Sequence, residues 1–170
     1  TDQAHLSLSE QIKAHSCDRV YQAVVYGRMK EPEGRVDAPI GRNPLERKEM
    51  CVTAKNSKEA VTNYRVLQEY EGFSHLELRL ETGRTHQIRV HFSWLGHPLA
   101  GDSLYGGHTD IIARHALHCA VLRFNRPADH EPRRVQSPLP EDFLAACCAA
   151  YLPDKEEIQT MLQSVLPCAE

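Results

Sequence analysis

Residues 78–91 read Leu-Arg-Leu-Glu-Thr-Gly-Arg-Thr-His-Gln-Ile-Arg-Val-His, and the hydrophobic period changes inside this stretch. Over residues 76–81 leucines alternate with charged side chains, which is the period-two pattern of a strand with one buried face. Over Thr85–Leu95 the apolar residues recur at helical spacing, and Gly96 is a typical helix stop. The stretch therefore predicts a strand that leads directly into a helix.

Two arginines, Arg84 and Arg89, lie at this strand-to-helix junction. A helix N-terminus presents free N–H groups and a partial positive charge, so arginines there suit a carboxylate or phosphate ligand. Their spacing places them on helix faces about 140° apart, which predicts separate roles. The same spacing argues against a shared metal for His86 and His91. From these residues alone, an anion site and a solvated helix start explain the two arginines equally well.

Outward from the junction, predicted strands come in neighbouring pairs. Ala60–Tyr70 and Phe73–Glu81 are separated by Glu71-Gly72, a hairpin signal. Other strands are predicted at Val20–Tyr26, Met50–Thr53, Leu117–Phe124 and Val135, helices around residues 6–12, 138–151 and 156–166, and a Gly/Pro-punctuated loop over residues 28–48. This order favours an α+β fold with a mostly antiparallel, curved sheet flanked by helices and loops.

Residues 96–107, Gly-His-Pro-Leu-Ala-Gly-Asp-Ser-Leu-Tyr-Gly-Gly, follow the predicted helix. This density of glycine and proline predicts a tight, ordered loop. Asp102 lies in its middle, and we expect it to brace the loop rather than to act in catalysis.

Composition sets further bounds. The 170 residues have the size of one domain, and no apolar run reaches membrane-spanning length. Six cysteines without a C-x-x-C pair are typical of reduced cysteines in a cytoplasmic protein. The net charge is −3, but residues 141–170 hold one base and six acids. Subtracting these from the totals of 20 bases and 23 acids leaves 19 and 17, or +2, in residues 1–140. This bias permits a phosphate-contacting face without establishing one.

Three stretches, taken in order, resemble the RluA-type RNA pseudouridine synthases. Val20–Gly27 (VYQAVVYG) resembles the family's strand with its active-site tyrosine, and Leu78–His91 resembles its arginine motif. Leu95–Gly107 (LGHPLAGDSLYGG), followed by Ala116-Leu117-His118, resembles its next loop and strand. Weaker similarities occur at residues 37–42, 60–64 and 137–142, so the resemblance spans roughly residues 1–150 in the family's order.

The resemblance implies an isomerase that converts uridine in RNA into pseudouridine without a cofactor or a metal. Ribosomal RNA is the implied substrate, transfer RNA is the alternative, and the intact protein is expected to be a cytoplasmic monomer. The target nucleotide would be flipped out of its stack into a pocket. There an aspartate attacks the nucleotide, and the base detaches, rotates and rejoins through carbon.

By the same resemblance, Tyr21 and Arg89 would be the catalytic residues. Tyr21 would lie against the uracil and handle the proton at the new carbon link, and Arg89 would pair with the aspartate and hold it ionised. Leu117 would be an apolar contact to the base, and Arg84 is expected to bind phosphate. The alternatives are a core strand tyrosine at 21 and a surface ion pair at 89. RNA binding is also predicted for six bases in the loop-like segment: Arg28, Lys30, Arg35, Arg42, Arg47 and Lys48.

The family's aspartate lies in an R-L-D-x-x-T-S-G stretch, and none of the 170 residues forms one. We therefore expect a fragment that is inactive alone, with residues 1–151 forming part of the catalytic domain and 152–170 a helical tail. Two alternatives remain open: a noncatalytic RNA-binding relative, and a protein-interaction module on the same fold. Truncation would deprive Arg89 of its buried partner and expose Val20–Tyr26 or a neighbouring strand as a sheet edge.

Overall fold

The computed structural model describes residues 2–14 and 16–150. Its helices are α1 (Asp2–Lys13), α2 (Gln87–Trp94) and α3 (Glu141–Ala150). Its strands are β1 (Asp18–Tyr26), β2 (Glu33–Asp37), β3 (Ile40–Arg42), β4 (Met50–Val52), β5 (Ser57–Lys58), β6 (Val61–Tyr70), β7 (Phe73–Leu80), β8 (Leu117–Asn125) and β9 (Pro132–Gln136). The predicted α+β class with an antiparallel sheet is confirmed. The predicted tail over 152–170 lies outside the described residues.

A six-stranded sheet in the order β2-β6-β7-β1-β8-β9 forms the body of the protein, and every pairing in it is antiparallel. A smaller three-stranded sheet has the order β4-β3-β5. β1 lies in the interior of the large sheet because β7 pairs with one of its edges and β8 with the other. The expectation that Val20–Tyr26 or a neighbour would be an exposed edge is therefore wrong. Among the described residues, β2 and β9 are the edges.

Alternation along β1 divides the large sheet into two faces. The cleft face carries Tyr21, Ala23 and Val25, which pack with Leu78 of β7 and with Phe92 of α2. The opposite face, which we call the α3 face, carries Val24 packed with Phe143, Cys147 and other residues of α3. α2 and α3 are thus each held by an apolar side against one face of the same sheet.

The segment 28–48 is not the continuous loop that its glycines and prolines predicted. β2 and β3 both lie in it, and β2 pairs with β6 from Glu33↔Arg65 to Asp37↔Val61. Arg35 and Arg42, predicted to lie on loops, are therefore strand residues. β5 was not predicted, and the remaining strands, including the β6–β7 hairpin around Glu71-Gly72, lie close to their predicted positions.

Candidate active site

A cleft of about 360 Å³ opens where the start of α2 meets the cleft face of the sheet. Its wall is formed by Tyr21, Leu80, Arg84, His86, Gln87, Ile88, Arg89, His115 and Leu117. The four residues predicted to meet the nucleotide, Tyr21, Arg84, Arg89 and Leu117, are all in this set although they come from β1, the α2 approach, α2 and β8. The volume is that of a typical small-ligand pocket.

Tyr21 lies next to an irregularity in the pairing of β1 with β8. Val20 is opposite Val121 while Tyr21 is opposite Cys119, so Ala120 is an extra residue in β8. A bulge of this kind twists a strand locally and is common beside active sites. Burial and the neighbouring Cys119 raise the pKa of the Tyr21 hydroxyl, and the Arg19 guanidinium opposes them. The hydroxyl therefore keeps its proton near neutral pH.

Arg89 is fixed by a two-pronged ion pair. Its Nε lies 2.7 Å from Asp102 Oδ2, and its Nη2 lies 2.7 Å from Asp102 Oδ1. The Asp102 side chain is 1% exposed and that of Arg89 14%. The guanidinium also lies over the Tyr105 ring, 4.8 Å from its centroid. The hydrogen bond to Asp102 raises the pKa of Arg89, and Nη1 has no partner among the described residues. Arg89 therefore has a buried partner in Asp102, which is not the aspartate that the resemblance implied.

The loop after α2 places Asp102 beneath Arg89. α2 ends at Trp94 with Leu95 as its C-cap, and Gly96 adopts φ +82, as predicted for the helix stop. At Gly101, φ is +73 and a Cβ would lie 2.0 Å from the Arg114 carbonyl oxygen, so only glycine fits. The Asp102 N–H donates to the Leu99 carbonyl and the Asp102 carbonyl accepts from the N–H of Gly107. Asp102 thus braces its loop, as expected, and it also orients Arg89.

Gln87, rather than a threonine, organises the start of α2. Its Oε1 accepts from the Arg84 N–H at 2.9 Å and the Thr82 hydroxyl at 2.8 Å. Its Nε2 donates to the Val61 carbonyl at 2.9 Å and lies 3.0 Å from Thr62 Oγ1. The cap residue is His86, whose side chain makes no cap bond, so neither Thr82 nor Thr85 caps the helix.

The comparisons with known proteins agree with this geometry. The family model described as RNA pseudouridylate synthase matches residues 1–94. A Bacillus subtilis protein named as an uncharacterised RNA pseudouridine synthase is 50% identical over 140 residues, covering 82% of this chain and 49% of that protein. The ribosomal large subunit pseudouridine synthase D of Pseudomonas aeruginosa is 42% identical over 158 residues, covering 85% of this chain and 49% of that protein. The chain thus spans about half the length of the curated relatives it matches.

The solved structure of a human protein is also similar to this chain. Human RNA pseudouridylate synthase domain containing 1 superposes with a TM-score of 0.71 at 31% identity, covering 96% of this chain and 72% of that one. The chain belongs to the RNA pseudouridylate synthase family. The human domain containing 4 protein, at 22% identity and a TM-score of 0.70, supports the fold. The family predicted from the three sequence stretches is confirmed.

In this family member, the six bases predicted to bind RNA lie outside the cleft and are all exposed. Arg35 is already paired with Asp37 at 2.6 Å and Glu81 at 3.3 Å. Arg28 lies 3.8 Å from Glu69. Lys30, Arg42, Arg47 and Lys48 form no ion pair among the described residues. The structure therefore divides the set into two engaged arginines and four available cations.

Sequence reasoning missed several residues of the cleft. His86 and His115 line it, and Arg19 lies beside Tyr21 with a buried Nε that has no partner among the described residues. The signal for Arg19 was its i,i+2 spacing from Tyr21, which puts both on one face of a strand. Within residues 2–14 and 16–150, no group of His, Cys, Asp and Glu side chains is arranged to hold a metal. No helix there is long and apolar enough to cross a membrane.

Proposed function

We propose that this chain forms the nucleotide-binding part of the catalytic centre of an RNA pseudouridine synthase. The observation that carries the proposal is the convergence of Tyr21, Arg84, Arg89 and Leu117 on one cleft from four separate segments. The name of the Pseudomonas aeruginosa relative favours ribosomal RNA as the substrate class. We further propose a monomeric protein that acts in the cytoplasm.

The geometry suggests a role for each side chain. A flipped uridine would enter the cleft with its base between Tyr21 and Leu117 and its phosphate near Arg84, whose Nε is held by the Glu59 carbonyl at 2.8 Å. Arg89, oriented from one side by Asp102, would present Nη1 to the nucleophilic aspartate and favour its ionised form. That aspartate is not among these residues in its family context, so turnover would need one supplied from outside them.

The reaction is balanced without another reactant. The bond from the ribose to the base nitrogen breaks, and a new bond forms between the ribose and C5 of the same base. The proton on C5 leaves, with Tyr21 positioned to handle it, and the base nitrogen released from the ribose gains a proton, so the composition of the nucleotide is unchanged. Because C5 loses its hydrogen, tritium release from RNA labelled at uridine C5 measures turnover directly.

The test uses the chain alone and the chain joined to a family segment that bears R-L-D-x-x-T-S-G. We expect no tritium release from the chain alone and release from the joined protein. Arg89→Ala in the joined protein should lower the single-turnover rate by about a hundredfold or more, since it removes the aspartate's charge partner. Arg114→Ala is the matched control, because Arg114 makes an exposed pair with Asp142. Turnover by the chain alone, or a normal rate for Arg89→Ala, would contradict the proposal.

RNA contact outside the cleft is proposed to come from Lys30, Arg42, Arg47 and Lys48. Each phosphate contact to single-stranded RNA contributes about 0.7 to the slope of log affinity against log salt. Replacing all four by alanine should therefore reduce the slope by about 3. Arg35→Ala should change it little, because Asp37 and Glu81 already balance that charge. An unchanged slope in the fourfold variant would place the RNA face elsewhere.

A further inference from the structure

His86 lies in the cleft wall beside Arg89 and has an unusual backbone. Its φ is 55, in the left-handed region that most side chains avoid. It is the cap residue of α2, yet its side chain makes no cap bond. Residues held in this region concentrate at functional sites, where the surrounding structure compensates for the strain. The imidazole is instead directed to Tyr105 and the cleft.

Hydrogen bonds around Tyr105 indicate which ring nitrogen of His86 carries the proton. The Met50 N–H donates to the Tyr105 hydroxyl oxygen at 2.9 Å, and His86 Nδ1 lies 2.8 Å from the same oxygen. The Met50 N–H, the Tyr105 hydroxyl and His86 Nδ1 are all bonded if the hydroxyl donates to an unprotonated Nδ1. The hydrogen of the neutral ring then lies on Nε2. Burial and the nearby Arg89 cation lower the pKa of His86, so the ring is neutral near pH 7.

No described residue bonds to Nε2 of His86, so the ring presents a neutral N–H donor with its other side already anchored. The cleft around it also has apolar walls at Leu80, Ile88 and Leu117 and an aromatic ring at Tyr21. Such walls suit a flat base, while the cation of Arg84 suits a phosphate. A neutral donor facing the space between apolar walls is matched to a carbonyl oxygen of a pyrimidine base.

We propose that His86 donates its Nε2–H to a carbonyl oxygen of the uracil in the cleft, and that Tyr105 is a positioning residue that holds the ring in the required tautomer. This inference rests on the proposed function, since it assumes that a uridine enters the cleft. It adds a base-contacting residue to those that the sequence indicated. Tyr105 also lies under Arg89, so one aromatic side chain positions two groups of the cleft.

The test compares the affinity of the full chain for two short RNAs, an oligoadenylate with one central uridine and the same RNA with an abasic residue there. The unaltered chain should prefer the uridine RNA. His86→Asn keeps a residue that tolerates the left-handed backbone. It should weaken binding of the uridine RNA by about fivefold to tenfold, the effect of one lost hydrogen bond, and leave binding of the abasic RNA unchanged. His5→Asn, at an exposed position on α1, is the control.

Tyr105→Phe provides a second readout that a purely structural role of His86 would not move. The variant keeps the ring under Arg89 but removes the hydroxyl that donates to Nδ1. Long-range proton–nitrogen NMR of the histidine ring should show the Nε2–H tautomer in the unaltered chain and a tautomer mixture in the variant. Its preference for the uridine RNA should fall by less than that of His86→Asn.

Failure of the inference differs from failure of the proposed function. If the unaltered chain does not distinguish the two RNAs, both are overturned. If it does and His86→Asn binds the uridine RNA equally well, only the role of His86 is overturned. An equal loss for both RNAs would assign His86 to the phosphate backbone and would also overturn the inference, as would an Nδ1–H tautomer in the unaltered chain.

Discussion

The two faces of the six-stranded sheet differ in how their buried polar side chains are hydrogen-bonded. On the cleft side, Arg89 is paired with Asp102, Gln87 uses both atoms of its amide, and both ring nitrogens of His91 lie 2.9 Å from a partner. On the α3 face, Gln22 and His75 are 1% and 0% exposed, and neither the Gln22 amide nor the His75 ring has a hydrogen-bond partner among the described residues.

The difference shows where the geometry of the protein is fixed. Directional bonds hold Arg89, Gln87 and His91 on the cleft side, so the positions of Arg89 and the α2 start are specified. On the α3 face, burial without a partner costs about 1–3 kcal/mol for each group. Apolar packing of Val24 against Phe143 has to offset that cost. The α3 face should therefore tolerate apolar replacement where the cleft side does not.

The sharpest test of this comparison uses two ion pairs of equal geometry. Arg89–Asp102 and Arg114–Asp142 both have a 2.7 Å contact from Nε to Oδ2, but Asp102 is 1% exposed and Asp142 48%. Asp102→Ala leaves a mostly buried cation, so urea melts should show a loss of about 3 kcal/mol. Asp142→Ala, on the side of α3, should lose less than about 1 kcal/mol. Equal losses would show that burial does not distinguish the two sides.

Two glutamines give a matched pair across the sheet. Gln22→Leu removes an amide that has no partner within residues 2–14 and 16–150, and should stabilise the protein by about 1 kcal/mol in urea melts. Gln87→Leu removes the acceptor of both the Arg84 N–H and the Thr82 hydroxyl, and should cost about 2 kcal/mol. Destabilisation by Gln22→Leu would show that the Gln22 amide is hydrogen-bonded in the folded protein.

The smallest expected effect is the pH dependence contributed by His75 on the α3 face. Burial lowers the pKa of His75 from its ordinary value to about 3. In the unfolded chain this ring gains a proton below about pH 6.5, so acid favours unfolding. Stability is full above about pH 6.5 and falls as the pH drops toward 3.

His75→Phe should remove this contribution while preserving the packing against Phe143, whose ring lies 5.7 Å away. Between pH 7 and pH 5.5 the unaltered chain should lose about 1 kcal/mol more than the variant. His5→Phe, at an exposed position, should leave the acid limb unchanged. Parallel acid limbs for the His75 variant and the unaltered chain would contradict the assignment.

The sequence predicted those elements whose pattern follows from their own residues. β7 was identified because its leucines alternate, and α2 because Gly96 ends it. β2 and β3 were missed because their glycines suggested turns. Gly34 lies in β2 because a Cβ there would be 2.7 Å from the Tyr64 ring, and Gly41 in β3 approaches Thr53 as closely. These glycines permit close packing, a role that depends on residues distant in the chain.

The residues of the site were also predictable only in part. Tyr21, Arg84, Arg89 and Leu117 could be selected from a resemblance and were found on one cleft, although their roles remain proposals. The partnership of Asp102 with Arg89 could not be predicted, because it depends on a loop conformation that requires Gly101 to pass the Arg114 carbonyl. His86 carried no signal either, since a left-handed backbone is usually marked by glycine or asparagine.

The interior position of β1 also determines when this strand can pair during synthesis of the chain. β1 is the first of the strands that the structure describes, yet its partners are β7 and β8, and its pairing extends to Asp18 with Arg123. At about 5–20 residues per second, a ribosome needs roughly 5–20 seconds to deliver the missing hundred residues. The β6–β7 hairpin can form locally during this interval, whereas Tyr21 reaches its place only after β8 emerges. Among the described strands, β1 is paired on both edges in the folded domain but waits longest for its partners on the nascent chain.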